Sequence, residues 1–502
     1  MVQVLPPLIT GVLPSLPSLP QFDTGIVNSF QAMQGFLKVF GHFNPATQKF
    51  AIDTVFQQLI TSLLQVGLIT ASIIIGPFSK FFGRRAGFAA CSVVSFIAIT
   101  IQVLVTSKGP IYVGRLLLGI ANGGYVNLLV LYNSETAPSH LRGSYVSAFQ
   151  PAVGLGGIIG GVISKALSTN LTKHSYQIQL AILYVVPVFL LIYSFFLPES
   201  PRWLAVQGRD DDAGKALRYI RGNSSTPEQV TIELEAIKAN IILERELQKD
   251  VKILDIFRGT DLRRTLLACG ATTLHASSGI NFLVGYATVF FQVASPGSNA
   301  FTNTIILQCC GLAGALTAPF LARYFGRKTI LLFGFGTTTI AMFTVAIVYT
   351  IAPKSSAGGK ALIAMVCCYQ AAYNFSVGPL AWVVAAEFPS NRLRSVTFGF
   401  SMAVGFVFAW LTVFTTPYFI GVQELNLGAK VAWIWGPSNL ISFLWILIFL
   451  PDTFGRTLEE IDEMFIQRVP GRKFRSYVIK GIAVEHSPAE QFEKAETGSF
   501  RE

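Results

Sequence analysis

The chain has 502 residues, 52% hydrophobic and only 13% charged, with a formal net charge of +11; its mean hydropathy is +0.53. A soluble domain carries about 25% charged residues, so this composition excludes an ordinary globular protein and indicates a polytopic membrane chain. The positive excess sits in short loops, where it sets orientation and does not imply a nucleic-acid partner. Lys80, Arg84 and Arg85, then Arg142, then Arg202 and Arg209 follow alternate apolar stretches, and Arg323, Arg327, Lys328, Arg392 and Arg394 repeat the pattern.

About 20 apolar residues cross a bilayer as a helix. Candidate spans lie near 5–30, 52–78, 87–107, 111–134, 143–167 and 178–197, and again near 264–293, 299–322, 329–351, 361–386, 395–420 and 430–450. The expected fold is therefore all-α and polytopic, with 12 transmembrane helices in two six-helix halves. The halves would cover 1–204 and 261–450, joined by a linker at 205–260 with short amphipathic helices such as Ile232–Lys249, and followed by a tail at 451–502. The tail should begin as a helix over Thr457–Phe465 and then lose order. Pro6, Pro7, Pro14, Pro17 and Pro20 interrupt helical hydrogen bonding in the first span; either that half-helix is irregular or the start of the chain is misassigned. The basic loops are read as cytoplasmic, with both termini on that side, and the sequon Asn170-Leu-Thr172 then falls in an outside loop.

The two halves echo each other. Glu135 precedes Arg142 by seven residues, as Glu387 precedes Arg394; Gly83-Arg84-Arg85 is matched by Gly326-Arg327-Lys328; Pro198-Glu199-Ser-Pro-Arg202 is matched loosely by Pro451-Asp-Thr-Phe-Gly-Arg456. Repeated halves with matching charges on one face are the layout of an alternating-access transporter. Arg84, Arg85, Glu135, Arg142, Glu199, Arg202, Arg327, Glu387 and Arg394 are the gating candidates, since charges at helix ends can pair in one conformation and part in another. Two charges fall inside spans, Asp23 and Arg115. Intramembrane charge is costly and usually functional; an acid that pairs with arginine when ionised and releases it when protonated is a proton-coupling element. Gln150, His275, Asn281, Tyr286 and Trp382 are the substrate candidates: Gln150 sits in the fifth span, His275, Asn281 and Tyr286 surround the small-residue break Ser277-Ser278-Gly279 in the seventh, and Trp382 follows Gly378-Pro379 in the tenth. Amides beside an aromatic platform suit an uncharged, hydroxylated ligand. No cofactor is called for: there is no Walker loop, the six cysteines lie within apolar runs, and the five histidines are scattered, so neither a metal site nor an enzyme active site is expected.

Pro198-Glu-Ser-Pro-Arg-Trp-Leu204 with Gly208-Arg209, Gly114-Arg115, the Glu135–Arg142 run, Gly378-Pro379-Leu-Ala-Trp382 and Pro451-Asp-Thr-Phe-Gly-Arg456 with Glu459-Glu460 together resemble the sugar porter family of the major facilitator superfamily, over nearly the whole chain. The Gly285-Tyr286-Ala-Thr288 segment resembles the fungal α-glucoside branch. The resemblance implies the major facilitator fold, a pathway between the halves, Asp23 and Arg115 as the coupling pair of symporting members, and Gln150, Asn281 and Trp382 as sugar contacts. It implies a secondary transporter for a sugar or glycoside in the plasma membrane, with protons and the lipid bilayer as its other partners. A facilitator or exporter of another hydroxylated metabolite, such as a polyol or a secondary metabolite, is the alternative; a non-transporting nutrient sensor is a weaker one. The chain departs from the family at His275 and Ala276, where two glutamines are usual, at Gly285, at Ala409, and at Lys80 and Arg323, where acids are usual. The small replacements are expected to widen the pocket.

Overall fold

The computed structural model describes residues 29–44, 49–136, 149–222, 226–248, 251–294, 299–322, 324–352, 355–390, 392–421, 424–475 and 477. The architecture is all-α and membrane-spanning. In the first half come α1 (Gln34–Phe40), α2 (Thr54–Phe82), α3 (Arg84–Leu104), α4 (Lys108–Thr136), α5 (Phe149–Leu167), α6 (His174–Ile182) and α7 (Val185–Phe196). The linker holds α8 (Pro201–Val206), α9 (Asp210–Arg221) and α10 (Pro227–Gln248). The second half contains α11 (Gly259–Ser277), α12 (Ile280–Ala294), α13 (Ala300–Leu321), α14 (Arg327–Ile351), α15 (Ser356–Phe375), α16 (Val377–Glu387), α17 (Arg394–Ile420) and α18 (Ala432–Phe449), with α19 (Leu458–Ile466) in the tail.

Among the described residues, nine helices are long and apolar enough to cross a membrane, counting α6–α7 and α15–α16 as continuous spans. Helix α5 stands at the fifth expected span, diluted by Gly154, Gly156, Gly157, Gly160 and Gly161. The seventh expected span is cut into α11 and α12. Only the end of the expected first span, from residue 29, lies within the described residues. The sequence does not anticipate the antiparallel pair β1 (His42–Asn44) and β2 (Lys49–Ala51), which sits between α1 and α2. Next to it, Asp53 pairs with Lys108 and with His42, the latter at 3.1 Å. The hydrogen bond from Lys108 holds the Asp53 carboxyl below its ordinary range.

Close packing rests on glycine, as it must where lipid offers no hydrophobic drive between helices. Helices α2 and α4 touch backbone to backbone: a Cβ on Gly119 would lie 2.3 Å from the Leu64 carbonyl oxygen and 3.0 Å from the Gly67 Cα. The two halves meet along two seams, α5 against α13 and α2 against α17. On α5, Gly154, Gly157 and Gly161 present one face at helical spacing to Leu312, Gln308 and Ile305 of α13. The second-half core includes Phe282, Phe290, Phe335, Met342 and Val384; the first-half core includes Phe36, Phe56, Leu64 and Tyr176.

Gly119→Ala is expected to destabilise the first half by about 1–3 kcal/mol, because its methyl meets backbone that cannot rotate away. A lowered unfolding temperature of the purified protein in detergent checks this; Gly399→Ala, where a Cβ meets nothing within 4 Å, is the control.

Candidate functional site

The site is built on two interrupted helices. Helix α11 stops at Ser277, and Gly279 takes φ +85° before α12 begins. A Cβ there would be strained and would lie 2.6 Å from the Trp435 indole. The carbonyls freed by the break are hydrogen-bonded by other helices: the Ser438 hydroxyl donates to Ser277 O at 2.6 Å, the Tyr369 hydroxyl donates to Ser278 O at 2.6 Å, and Asn439 Nδ2 donates to Ser278 O at 2.9 Å. Asn439 Oδ1 in turn accepts from Thr338 at 2.9 Å. The second interruption lies between α15 and α16, where Ser376 leaves helical geometry at φ −120°, ψ −74°. Pro379, lacking an N–H, leaves the Phe375 carbonyl without its helical donor.

These breaks gather polar and aromatic side chains between the halves. Gln150 Nε2 on α5 donates to Asn374 Oδ1 on α15 at 2.7 Å, a bond from one half to the other. Asn374 Nδ2 donates to the Gln370 carbonyl at 3.0 Å, and Gly311 leaves the space that both amides occupy. His275 Nδ1 is hydrogen-bonded to the Tyr373 hydroxyl. Its ring lies 5.2 Å from that of Trp382, which is 6.1 Å from Phe406. Gln370 Oε1, beside the Gln150–Asn374 bond, is buried with no hydrogen-bond partner among the described residues, as are Asn281 Nδ2 and Trp410 Nε1 elsewhere in the second half. An unsatisfied buried polar group costs about 1–3 kcal/mol, so such atoms point to a ligand that supplies hydroxyl groups. Gln150, His275 and Trp382 are thus brought to one cluster. Tyr286 is instead wholly buried in the second-half core, its hydroxyl 3.5 Å from the Val413 carbonyl.

Tyr373, Asn374 and Gln370 did not emerge from the sequence. Their signal is present, however: a run of polar residues at helical spacing inside an apolar span, just before Gly378-Pro379. The expectation of a widened pocket is corrected at two positions. Ala276 and Ala409 are 2% and 4% exposed, closed over by neighbouring helices. Only Gly285 faces room, the one atom within 4 Å of a Cβ being the Thr61 methyl at 3.6 Å.

Arg115 is fully buried, its guanidinium 4.6 Å over the Phe30 ring; Asp23 lies outside the described residues, as do Arg142 and Arg323. The remaining gating candidates form clusters on the basic face. Arg84 binds Glu135 in a fork, Nε to Oε2 at 3.0 Å and Nη2 to Oε1 at 2.7 Å, and donates to Ser79 O. Glu199 accepts from the backbone N–H groups of Arg84 and Arg85 at 2.9 and 3.2 Å. Gly83, at φ +92°, permits that approach, since a Cβ would lie 2.4 Å from the Glu199 carboxylate. Arg85 donates to the Phe195 carbonyl. Arg327 pairs with Glu387, which also accepts from Thr453 at 2.8 Å. Arg202 pairs with Glu244 of the linker, and Arg394 opens α17. Among the described residues, no ion pair on this face joins the first half to the second. On the opposite face side chains do cross: Tyr418 donates to Gln58 Oε1 at 3.3 Å, Gln292 donates to the Ala32 carbonyl at 3.3 Å, and the Ser29 and Thr288 hydroxyls are 3.5 Å apart.

The chain matches the family model described as "Sugar (and other) transporter" over residues 13–465. It is 30% identical over 465 residues to the general alpha-glucoside permease of Saccharomyces cerevisiae, covering 91% of this chain and 75% of that one. It is 28% identical over 489 residues to the major facilitator-type transporter ecdD of Aspergillus rugulosus, covering 95% and 90%. Among solved structures, the inward-open xylose transporter XylE of E. coli superposes with a TM-score of 0.74 at 22% identity, covering 91% of this chain and 99% of that one. The fold is thereby that of the major facilitator superfamily.

Removing one partner of the largely buried Arg84–Glu135 pair leaves the other charge uncompensated, which costs about 3–5 kcal/mol. Glu135→Gln is therefore expected to lower the unfolding temperature more than the double variant Arg84→Gln, Glu135→Gln does. Thermal unfolding of the four proteins of that cycle checks the order.

Proposed function

Because the chain belongs to the sugar (and other) transporter family, we propose that it carries an α-glucoside across the plasma membrane by alternating access, coupled to proton entry. It is a multi-pass transport protein and not an enzyme, in keeping with the transporters and permeases it resembles. The observation that carries the substrate reading is the Gln150–Asn374 bond across the halves, set beside the unsatisfied Gln370 amide oxygen, with the His275–Trp382 ring pair in the same cluster. A sugar offers hydroxyls that both donate and accept. It can replace the amide–amide bond with bonds to each half, each worth about 0.5–1.5 kcal/mol net. A ligand that touches both halves binds best when they close around it, and that differential affinity is what shifts the conformational equilibrium. The general alpha-glucoside permease of S. cerevisiae supports the choice of sugar.

The basic face is the cytoplasmic one by the excess of Lys and Arg in its loops, with both termini on it. The ties through Tyr418, Gln292 and Ser29 then close the outer side, while the charge clusters on the inner side stiffen each half separately. This is an inward-facing arrangement. Asp23 is the proton-accepting group and Arg115 its partner. Ionised, the acid holds the buried guanidinium; protonated, it releases it, and the first half is free to change its contacts. The imidazole of His275, where a glutamine would be ordinary for the family, favours a second reading: a facilitator or exporter of another hydroxylated metabolite.

Uptake in a host lacking its own sugar carriers separates the two. Labelled maltose is expected to accumulate above the external concentration at acidic external pH, and to stop accumulating when a protonophore is added. Downhill movement alone, or movement of a polyol in preference to maltose, would favour the second reading. Asp23→Asn is expected to abolish accumulation while exchange of internal for external maltose survives. If this variant still concentrates maltose on a proton gradient, Asp23 is not the coupling site.

A further inference from the structure

We infer that Tyr373 is a positioning residue that fixes His275 as a pure hydrogen-bond donor toward the substrate. This rests on the reading of the cleft as the sugar site. The Tyr373 side chain is 2% exposed, and the His275 imidazole is the partner of its hydroxyl. Two polarities are available for that bond. If Nδ1–H donated to the hydroxyl, the phenolic proton would be buried with no acceptor. If the hydroxyl donates to Nδ1, the proton left over is Nε2–H, on a ring that is only half-buried and borders the cleft, where solvent or substrate can accept it. A stranded donor is the costlier fault, so the tyrosine donates. A neutral imidazole that accepts at Nδ1 carries its proton on Nε2.

The tyrosine is itself held in place. Its ring stacks on Tyr369 at 6.5 Å and 12°, and the Tyr369 hydroxyl is bound to Ser278 O at the helix break. Ser278 Oγ closes the loop by donating to the His275 carbonyl at 2.8 Å. The imidazole is also tilted against Trp382, with the rings 5.2 Å apart at 44°. Position and tautomer of the ring are thus set by α15 through two stacked tyrosines.

The consequence concerns specificity. A glutamine carboxamide both donates and accepts, and can serve a hydroxyl in either direction. An imidazole held with Nε2–H can only donate, so the substrate atom opposite must accept. An acetal oxygen, in a sugar ring or bridging two sugars, only accepts. The chemistry selected at this point of the cleft is therefore an ether-type acceptor, as an α-glucoside presents, over a hydroxyl required to donate.

Two measurements test this. The first needs no substrate. The chain has five histidines, His42, His140, His174, His275 and His486, so the spectrum of protein labelled with nitrogen-15 histidine is small, and His275→Gln identifies the resonances of this ring. At neutral pH they are expected to show a protonated Nε2 and a bare Nδ1, and Tyr373→Phe is expected to turn them into a tautomer mixture. A protonated Nδ1 in the unmodified protein overturns the assignment. The second measurement is maltose uptake in a double-variant cycle. Tyr373→Phe is expected to raise KM about fivefold with little change in kcat, the scale of one weakened hydrogen bond. In the His275→Gln background it is expected to change neither, because a carboxamide needs no tautomer fixed. An equal loss in both backgrounds means Tyr373 only packs, and the inference fails. Absence of maltose uptake by the unmodified protein counts against the α-glucoside reading instead, and the nitrogen spectrum then decides this one.

Discussion

A helix cut open inside a bilayer leaves carbonyls that no lipid tail can bind, and the break survives only where protein supplies donors. Here the Ser277 and Ser278 carbonyls receive three, from Ser438, Asn439 and Tyr369. Those donors come from α15 and α18, so the interruption of one helix is locked to two others. Asn439 is itself anchored by Thr338 of α14. The second half is thereby knitted around the break, and the cleft inherits its shape from that knitting. His275 stands just before the break, with its ring against α15 and α16.

The same economy of space governs the seams. A glycine face lets a neighbouring helix approach closely, its side chains seated where Cβ atoms would otherwise stand. Helix α5 presents such a face to α13, and this seam crosses between the halves. By contrast α2 and α4, within one half, meet backbone to backbone through Gly67, Gly119 and Gly123, a contact suited to a rigid unit. The ionic clusters on the basic face reinforce this division. Arg84, Glu135 and Glu199 tie together the ends of α2, α3, α4 and the turn before α8, while Arg327, Glu387 and Thr453 do so in the second half. Each cluster is internal to its half, so among the described residues each stiffens that half without fastening it to the other.

Much of this is local, and local features are legible in a sequence. Span length and apolarity decide a membrane helix residue by residue, and the expected positions coincide with the helices wherever residues are described. The glycine and proline signals placed the two interruptions at the site, though not the break between α6 and α7, and the repeated Glu and Arg pattern picked out Arg84, Glu135, Arg327 and Glu387, which the fold does pair. Identity of residue type alone also marked Gln150, His275 and Trp382, since amides, imidazole and indole inside apolar spans are rarely neutral choices.

What the tertiary structure decided is partnership. Gln150 and Asn374 are 224 positions apart, and nothing in either local segment announces the other. Arg202, expected at a gate, turns to Glu244 of the linker because α10 folds back against α8. Ala276 and Ala409, small where larger polar groups would be usual, make no space because neighbouring helices close over them. Tyr286 left the cluster because α12 turns it into the core. Tyr373 entered because α15 brings its hydroxyl to His275. Composition and spacing settle which segments enter the membrane, since each is solvated by lipid independently; hydrogen-bond partners within it are chosen only when the helices pack, since each buried donor must then find an acceptor on another segment of the chain.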